Sequence, residues 1–214
     1  MAGAKQTIMN RRDLVKQIAL LTGGVVIGSE LFLTGCKTGA KSDAGFTPAS
    51  IALLDEIGET IIPTTATPGA KAAQVGSFMQ VYVTDCYTQK QQDAFTKGLA
   101  GVEEACKKAT GKTFTEADAK QRHDFLVSLE KEAKDFNAKN QEADKAQQEA
   151  AYKAGKEFEG SPAHYYTMIK QLTLMGFFTS KTGATETLRH VQVPGKYDGA
   201  LPYKKGDKAW ADSI

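Results

Sequence analysis

Apolar residues recur at intervals of three and four along most of the chain, the spacing that places them on one face of an α-helix. The first such face runs from Ile51 to Ile61. Thr47 is a suitable N-cap, Pro48 suits the first helical position, and Pro63 cannot continue a helix. The pattern therefore predicts a first helix that begins beside Thr47 and ends before Pro63.

Four further helices are predicted from the same spacing. Two of them cover residues 75–87 and 91–109. Another opens at Thr115 and Asp118, which have the spacing of a capping box, and the last restarts at Pro162. No run of alternating apolar residues is long enough for a sheet. The predicted fold class is all-α, an irregular helical subunit with an extended, glycine- and proline-punctuated C-terminal tail.

Two segments depart from the amphipathic pattern. Residues 130–160 are dominated by charged and amide side chains and alanine, which favours a polar helical excursion outside the core. The tail from Thr182 to Pro202 is rich in turn-forming residues and offers few apolar anchors. Because ordering a backbone costs about 1–2 kcal/mol per residue, we expect a partner, rather than the subunit's own core, to fix this tail.

The first 35 residues have the layout of an export signal. A basic patch that contains Arg11 and Arg12 precedes a weakly apolar segment, and the paired arginines resemble a twin-arginine signal. The alternative is an ordinary secretory leader that happens to contain two arginines. The apolar run from Ile18 to Leu33 is too short and too rich in glycine for a spanning helix, so we do not expect it to remain as a membrane anchor.

The leader ends immediately before Cys36, which follows Leu33 and two small residues. This arrangement resembles the box at which lipoproteins are cleaved and lipidated, and several acyl chains on Cys36 would anchor the chain stably. The alternative is an unmodified cysteine beside a cleavage site. Residues 36–45 are small and polar, as expected of a tether, and residues 46–214 form the helical domain.

The net positive charge of the chain comes entirely from the leader. Residues 1–35 have a net charge of +2, whereas the remainder has 23 basic and 23 acidic side chains. A neutral body has no field that would attract phosphates, so nucleic acid is not expected as a partner.

Two cysteines, Cys86 and Cys106, lie beyond the predicted cleavage point. In an oxidising compartment they could form a disulfide worth about 3 kcal/mol, provided that antiparallel helices bring them together. The alternative is a pair of buried free thiols that pack as small hydrophobic side chains.

No pattern in the sequence indicates catalysis, a metal or a cofactor in this chain. There is no haem-attachment motif, dinucleotide-binding glycine motif or four-cysteine cluster. The histidines His123, His164 and His190 are far apart and lack the spacing of zinc ligands.

Five short segments of the chain form a recognisable series. They are residues 53–63 (LLDEIGETIIP), 67–73 (TPGAKAA), 83–87 (VTDCY), 172–180 (LTLMGFFTS) and 193–199 (VPGKYDG). In their order and spacing they resemble the gluconate 2-dehydrogenase subunit 3 family, the small or gamma subunits of membrane-bound sugar dehydrogenases.

The resemblance implies a non-catalytic small subunit of a periplasmic complex. The large partner in such complexes is a flavoprotein of the glucose–methanol–choline type that holds FAD, often with a cytochrome c subunit that holds haem c. The small subunit resembles a hitch-hiker chaperone, because it carries the export signal for a catalytic subunit without one. The resemblance therefore implies a location on the periplasmic side of the membrane, with the lipid anchor holding the complex there.

The resemblance also implies where the partner binds. Where the family often has Gly-Tyr-Phe, this chain has Gly176-Phe177-Phe178. Adjacent residues on a helix cannot both face one core, so one phenylalanine is expected to be free for a partner. The expected contact residues are Phe177, Phe178, Thr179, Ser180, Pro194, Gly195 and Tyr197.

Two other functional classes stay open on the sequence. One is a free-standing envelope lipoprotein that binds a ligand or acts as a scaffold. The other is an enzyme whose site the sequence does not show.

Overall fold

Five α-helices account for most of the described residues. The structure is a computed structural model that describes residues 45–193, 195, 199–202 and 204–211. The helices are α1 (Pro48–Ile61), α2 (Val75–Cys86), α3 (Gln89–Thr110), α4 (Ala119–Lys153) and α5 (Tyr165–Thr179), with a 3₁₀ helix at Ala70–Ala73 and a π-helix at Gly183–Thr187. In these residues the only strand-like pairing is an isolated bridge between Arg189 and Trp210. The predicted all-α class is confirmed.

Helix α5 is the centre of the fold, because it packs against each of the other four helices. Its inward face includes Ile169, Leu172 and Phe177, which are almost completely buried. The single polar member of this face, Thr173, is also buried, and its hydroxyl donates to the Ile169 carbonyl at 2.8 Å. Since every other helix contributes to this core, α5 is held from several sides while one face stays open to solvent.

Helix ends follow the predicted capping chemistry at some points and differ from it at others. Thr47 caps α1 through a reciprocal box with Ser50, as the sequence indicates. For α4, the N-cap is Asp118, which pairs with Gln121, so the predicted capping box at Thr115 is wrong. The last helix begins after His164 rather than at residue 162, because the preceding segment is hydrogen-bonded to α4 instead.

The polar stretch at 130–160 is helical as far as Lys153 and then turns back along α4. Three amide or acidic side chains at helical spacing bind the returning backbone. Asn137 Oδ1 accepts from the His164 amide at 2.8 Å, and Asp144 accepts from the Ser161 amide at 2.7 Å. Asn140 Nδ2 donates to the Pro162 carbonyl at 3.4 Å. This polar face therefore binds another part of the chain, which its composition alone did not indicate.

Within the described residues, no helix combines the length and the apolarity that a membrane span requires.

Candidate partner-binding surface

The open face of α5 carries an apolar patch at its C-terminal half. Leu174, Met175 and Phe178 are 41%, 43% and 40% exposed, although the neighbouring positions on the helix are buried. The three residues are spaced by one and three positions, so they lie on adjacent parts of a single turn. We call these three residues the α5 patch. Large apolar side chains grouped on one surface are typical of a protein–protein contact.

The two adjacent phenylalanines divide as expected, one inward and one outward. Phe177 is completely buried, whereas Phe178 is 40% exposed. Their rings pack edge to face, with their centroids 5.1 Å apart. The prediction that Phe177 contacts a partner is therefore wrong, because its ring fills the core. Phe178 and the exposed Thr179 are free to do so. The Ser180 hydroxyl instead donates to the Phe177 carbonyl and accepts from the Gly183 amide, which orders the end of α5.

Beyond α5, the tail adds further exposed apolar side chains. They are Val191, Val193, Leu201 and Trp210, with exposed fractions between 40% and 79%. Gly195 is exposed, and its amide donates to the Val193 carbonyl at 2.9 Å. Pro194 and Tyr197 lie outside the described residues, as do Arg11, Arg12 and Cys36. Their predicted roles stay predictions.

The remaining apolar members of the surface were missed from the sequence. Leu174 and Met175 continue the apolar composition of α5, and the helical spacing of Tyr165, Ile169 and Leu172 would also place Met175 on the buried face. The structure keeps Ile169 and Leu172 on that face and adds Phe177, but it leaves Met175 exposed. The sequence of α5 does contain an indication of this surface. Its apolar residues occur on all sides of the helix, which is more apolar surface than one core can cover.

Three acidic residues in α1 organise the loop that follows this helix. The first, Asp55, accepts a hydrogen bond from the Gly76 amide at 2.8 Å. Gln74, the N-cap residue of α2, makes no capping bond with its own side chain, so Asp55 binds an amide of the first turn instead. Burial raises the pKa of Asp55, and the hydrogen bond from Gly76 opposes that rise.

Glu59 holds the middle of the same loop. Its carboxylate accepts from the amide and hydroxyl of Thr64, at 2.8 and 2.6 Å, and from the Lys71 amide at 2.9 Å. Burial raises the pKa of Glu59, but these hydrogen bonds together outweigh it, and the net shift of the pKa is downward. Both oxygens of the Glu59 carboxylate thus accept hydrogen bonds that fix the conformation of the loop.

Glu56 joins the loop to α4. It pairs with Lys71 and, at 2.6 Å, with the guanidinium of Arg122. Arg122 also donates to the carbonyls of Thr115 and Ala117, at 2.7 and 3.0 Å. The hydrogen bond from Lys71, assisted by that from Arg122, lowers the pKa of Glu56 despite its partial burial. The three carboxylates at 55–59 therefore stabilise the fold through hydrogen bonds and ion pairs.

His164 is the N-cap of α5 rather than a ligand. Its Nδ1 accepts from the Tyr166 amide at 3.3 Å, and its Nε2 lies 3.8 Å from the Glu132 carboxylate. The ring is buried against Phe136 and Tyr165. Burial lowers the pKa of His164, and Glu132 opposes this shift. The neutral imidazole is the form that caps the helix. His123 lies on α4 and is exposed.

Cys86 and Cys106 are both free thiols. Cys86 is the exposed last residue of α2, whereas Cys106 is buried near the end of α3. Because α3 begins only three residues after Cys86 and rises about 1.5 Å per residue, its length separates the two positions. The disulfide alternative is therefore not what the structure shows. The alternative of two buried thiols holds for Cys106 but not for Cys86.

The described residues include no group of three or more histidine, cysteine, aspartate or glutamate side chains that could hold a metal ion. A cleft of about 460 Å³ lies in the tail, between residues 185–190 and 206–208, and two other open clefts lie beside the helices. One, of about 550 Å³, lies between α4 and the returning segment and is lined mainly by the amide and charged side chains that bind that segment. The other, of about 330 Å³, lies between the start of α1 and α3.

The fold and its exposed surface define an all-α protein with an apolar patch on its central helix. Comparison with known families gives one match, to gluconate 2-dehydrogenase subunit 3, over residues 48–195. The chain belongs to this family. Neither the curated proteins nor the solved structures include a match. Members of this family are subunits of the gluconate 2-dehydrogenase complex, and this implies a catalytic partner for the chain.

Proposed function

We propose that the chain is the non-catalytic small subunit of a periplasmic, FAD-dependent sugar dehydrogenase complex. In this role it supplies the export signal, the membrane anchor and the stabilisation of a large catalytic flavoprotein. The observation that carries the proposal is the α5 patch, a group of exposed apolar side chains on the central helix of a chain from a dehydrogenase-subunit family.

The α5 patch suits a partner because its position is fixed by the core. Its three side chains are each about two-fifths exposed, so covering them would contribute about 2–4 kcal/mol in total. That is less than the cost of association. A stable complex therefore needs a wider surface, to which the exposed apolar side chains of the tail would contribute.

Export and anchoring belong to the same proposal. Arg11 and Arg12 would direct the chain to the twin-arginine route, which accepts folded cargo. A flavoprotein must bind FAD before it crosses the membrane, so a subunit that carries the signal would bring the loaded enzyme with it. Lipidation of Cys36 would then hold the complex on the periplasmic side of the membrane.

The cofactors would lie in the partners. FAD would be held by the large flavoprotein of the glucose–methanol–choline type, and haem c by a cytochrome c subunit that accepts its electrons. The small subunit would contribute binding surface to the catalytic subunit. The sugar that is oxidised would be selected by the catalytic subunit.

The test is purification of the full-length chain, with a C-terminal tag, from detergent-solubilised membranes of its own host. We expect a large subunit with a flavin absorption spectrum to co-purify, together with sugar-dependent reduction of a dye. Cys36→Ser is the matched variant, and it should remove labelling by a fatty-acid probe and release the complex from the membrane. A chain that purifies alone would contradict the proposal and favour a free-standing lipoprotein.

A further inference from the structure

The tail after α5 is closed at its base by Arg189 and Trp210. The Arg189 amide donates to the Ala209 carbonyl at 2.8 Å, and the Ala211 amide donates to the Arg189 carbonyl at 2.9 Å. The guanidinium of Arg189 lies over the Trp210 ring, 4.7 Å from its centroid. Main-chain pairing and a cation–π contact therefore act at the same point. We call this pairing the tail clasp.

The tail clasp is connected to the α5 patch through a short ordered segment. The π-helix Gly183–Thr187 packs on α5, and the Gly183 position lies so close to the Phe177 carbonyl that no larger residue would fit. Lys208 donates through Nζ to the Glu186 carbonyl, which ties the end of the tail to this π-helix. The clasp thus places both ends of the tail beside the end of α5.

The tail differs in charge from the rest of the domain. Residues 189–214 contain five basic and three acidic side chains, whereas residues 46–188 contain sixteen basic and nineteen acidic ones. Lys204 and Lys205 are exposed, and neither forms an ion pair with another described residue. Because residues 46–188 are close to neutral and Lys204 and Lys205 are unpaired among the described residues, these two charges are available for an acidic surface elsewhere.

We propose that Lys204 and Lys205, in the part of the tail next to the tail clasp, dock on an acidic surface of the catalytic subunit. This proposal rests on the proposed function. Closing the tail before binding reduces the backbone freedom that is lost on binding, because its two ends are already joined. The exposed Val193 and Leu201 would supply apolar contacts beside the lysines. The α5 patch would then bind one part of the partner and the tail a neighbouring acidic part.

The charge is tested with the double variant Lys204→Glu/Lys205→Glu. The matched control is Lys139→Glu/Lys153→Glu, which changes charge equally on exposed positions of α4. The Kd for the flavin-loaded catalytic subunit, separated from the wild-type complex, is measured at 50 and 300 mM salt. We expect the tail variant to bind at least tenfold more weakly, with a smaller dependence on salt, and the control to bind like wild type.

The clasp is tested through Trp210, the single tryptophan of the chain. Fluorine-labelled tryptophan in this subunit alone gives one ¹⁹F signal that reports the tail in the free and bound states. We expect Arg189→Gln to shift the signal of the free subunit toward that of a solvent-exposed indole. Because its tail would be open, this variant should also bind more weakly. An unchanged signal or unchanged affinity would overturn the role of the clasp.

An anionic membrane surface is the alternative occupant, and the same variants separate the two. Sedimentation of the Cys36→Ser chain with phosphatidylglycerol vesicles gives the lipid affinity without the anchor. Unchanged affinity of Lys204→Glu/Lys205→Glu for the catalytic subunit, with loss of vesicle binding, would overturn the proposal. A wild-type chain that binds no flavoprotein would contradict the proposed function itself, whereas a normal wild-type complex with an insensitive tail variant contradicts only the docking of the tail.

Discussion

Gly98 on α3 lies directly against the ring of Tyr165 on α5, so close that a Cβ at residue 98 would overlap the ring. The contact lies where the two helices pack together at the edge of the core. Burial raises the pKa of Tyr165 to about 12, which agrees with a phenol held away from water. The absence of a side chain at Gly98 therefore permits the close approach of α3 and α5.

We predict that Gly98→Ala destabilises the domain by about 1–3 kcal/mol, because either the ring of Tyr165 or the helix must move. Gly101→Ala on the same helix is the control, since nothing lies within 4 Å of its Cβ position. The control should be more stable than wild type by about 0.5–1 kcal/mol, because alanine favours the helix. Urea unfolding followed by circular dichroism measures both, and equal effects would contradict this packing.

The Glu56–Arg122 pair is expected to be a main link between α1 and α4. Arg122→Ala should lower the free energy of unfolding by about 2–4 kcal/mol, because it removes a half-buried charge pair and hydrogen bonds to two carbonyls. Lys120→Ala removes an exposed pair with Asp124 on the same helix and should cost no more than about 0.5 kcal/mol.

The same pair gives a pH dependence whose sign is fixed. The pKa of Glu56 is lower in the folded state, so its ionised form is stabilised by folding. This contribution is present above the unfolded pKa of about 4.3 and is lost as the pH falls through the lower folded pKa. Glu56→Gln should therefore show a shallower loss of stability on acidification below about pH 4.3. A wild-type slope in this variant would exclude Glu56 as a source of the dependence.

His164 gives a second pH dependence, at higher pH. Its pKa is lowered by burial, so the neutral form is favoured in the folded state. Its contribution is present above the unfolded pKa of about 6.5 and is lost as the pH falls through the folded value. His164→Asn keeps a capping acceptor but does not titrate. Unfolding at pH 7.5 and 5.5 should show a smaller difference for this variant than for wild type, and equal differences would contradict the capping role.

Much of the fold could be predicted from the sequence because its helices are amphipathic and well capped. The ends of α1 followed from Thr47, Pro48 and Pro63. The start of α5 did not, because it depends on Asn137 binding the His164 amide across 27 residues of chain. Local patterns contain no information on such a contact. For the same reason the tail clasp, which joins Arg189 to Trp210, was not predicted.

The binding surface could be predicted only in part. That one of the two adjacent phenylalanines faces outward follows from helix geometry, and Phe178 is that residue. Which one faces outward depends on the packing of α5 against four helices, which the local sequence does not contain. The acidic residues of α1 could not be predicted at all, because Asp55, Glu56 and Glu59 each bind a partner that is distant along the chain.

The export role predicts a change in where the enzyme accumulates. Replacement of both Arg11 and Arg12 by lysine should leave this chain and the dehydrogenase activity of its partner in the cytoplasm. The measurement is sugar-dependent dye reduction in periplasmic and cytoplasmic fractions, with Lys16→Arg as the control. Normal periplasmic activity in the double variant would contradict export of the complex through this signal.

The central claim is that the α5 patch binds a catalytic flavoprotein, and one titration tests it most directly. The purified flavin-loaded subunit is titrated with wild type, Phe178→Ser, and the control Val127→Ser, an exposed apolar residue on α4. Thermal unfolding of each isolated variant shows that its own fold is unchanged. We predict that Phe178→Ser weakens binding by about three- to tenfold while Val127→Ser binds like wild type. Equal affinity of all three chains would contradict the claim.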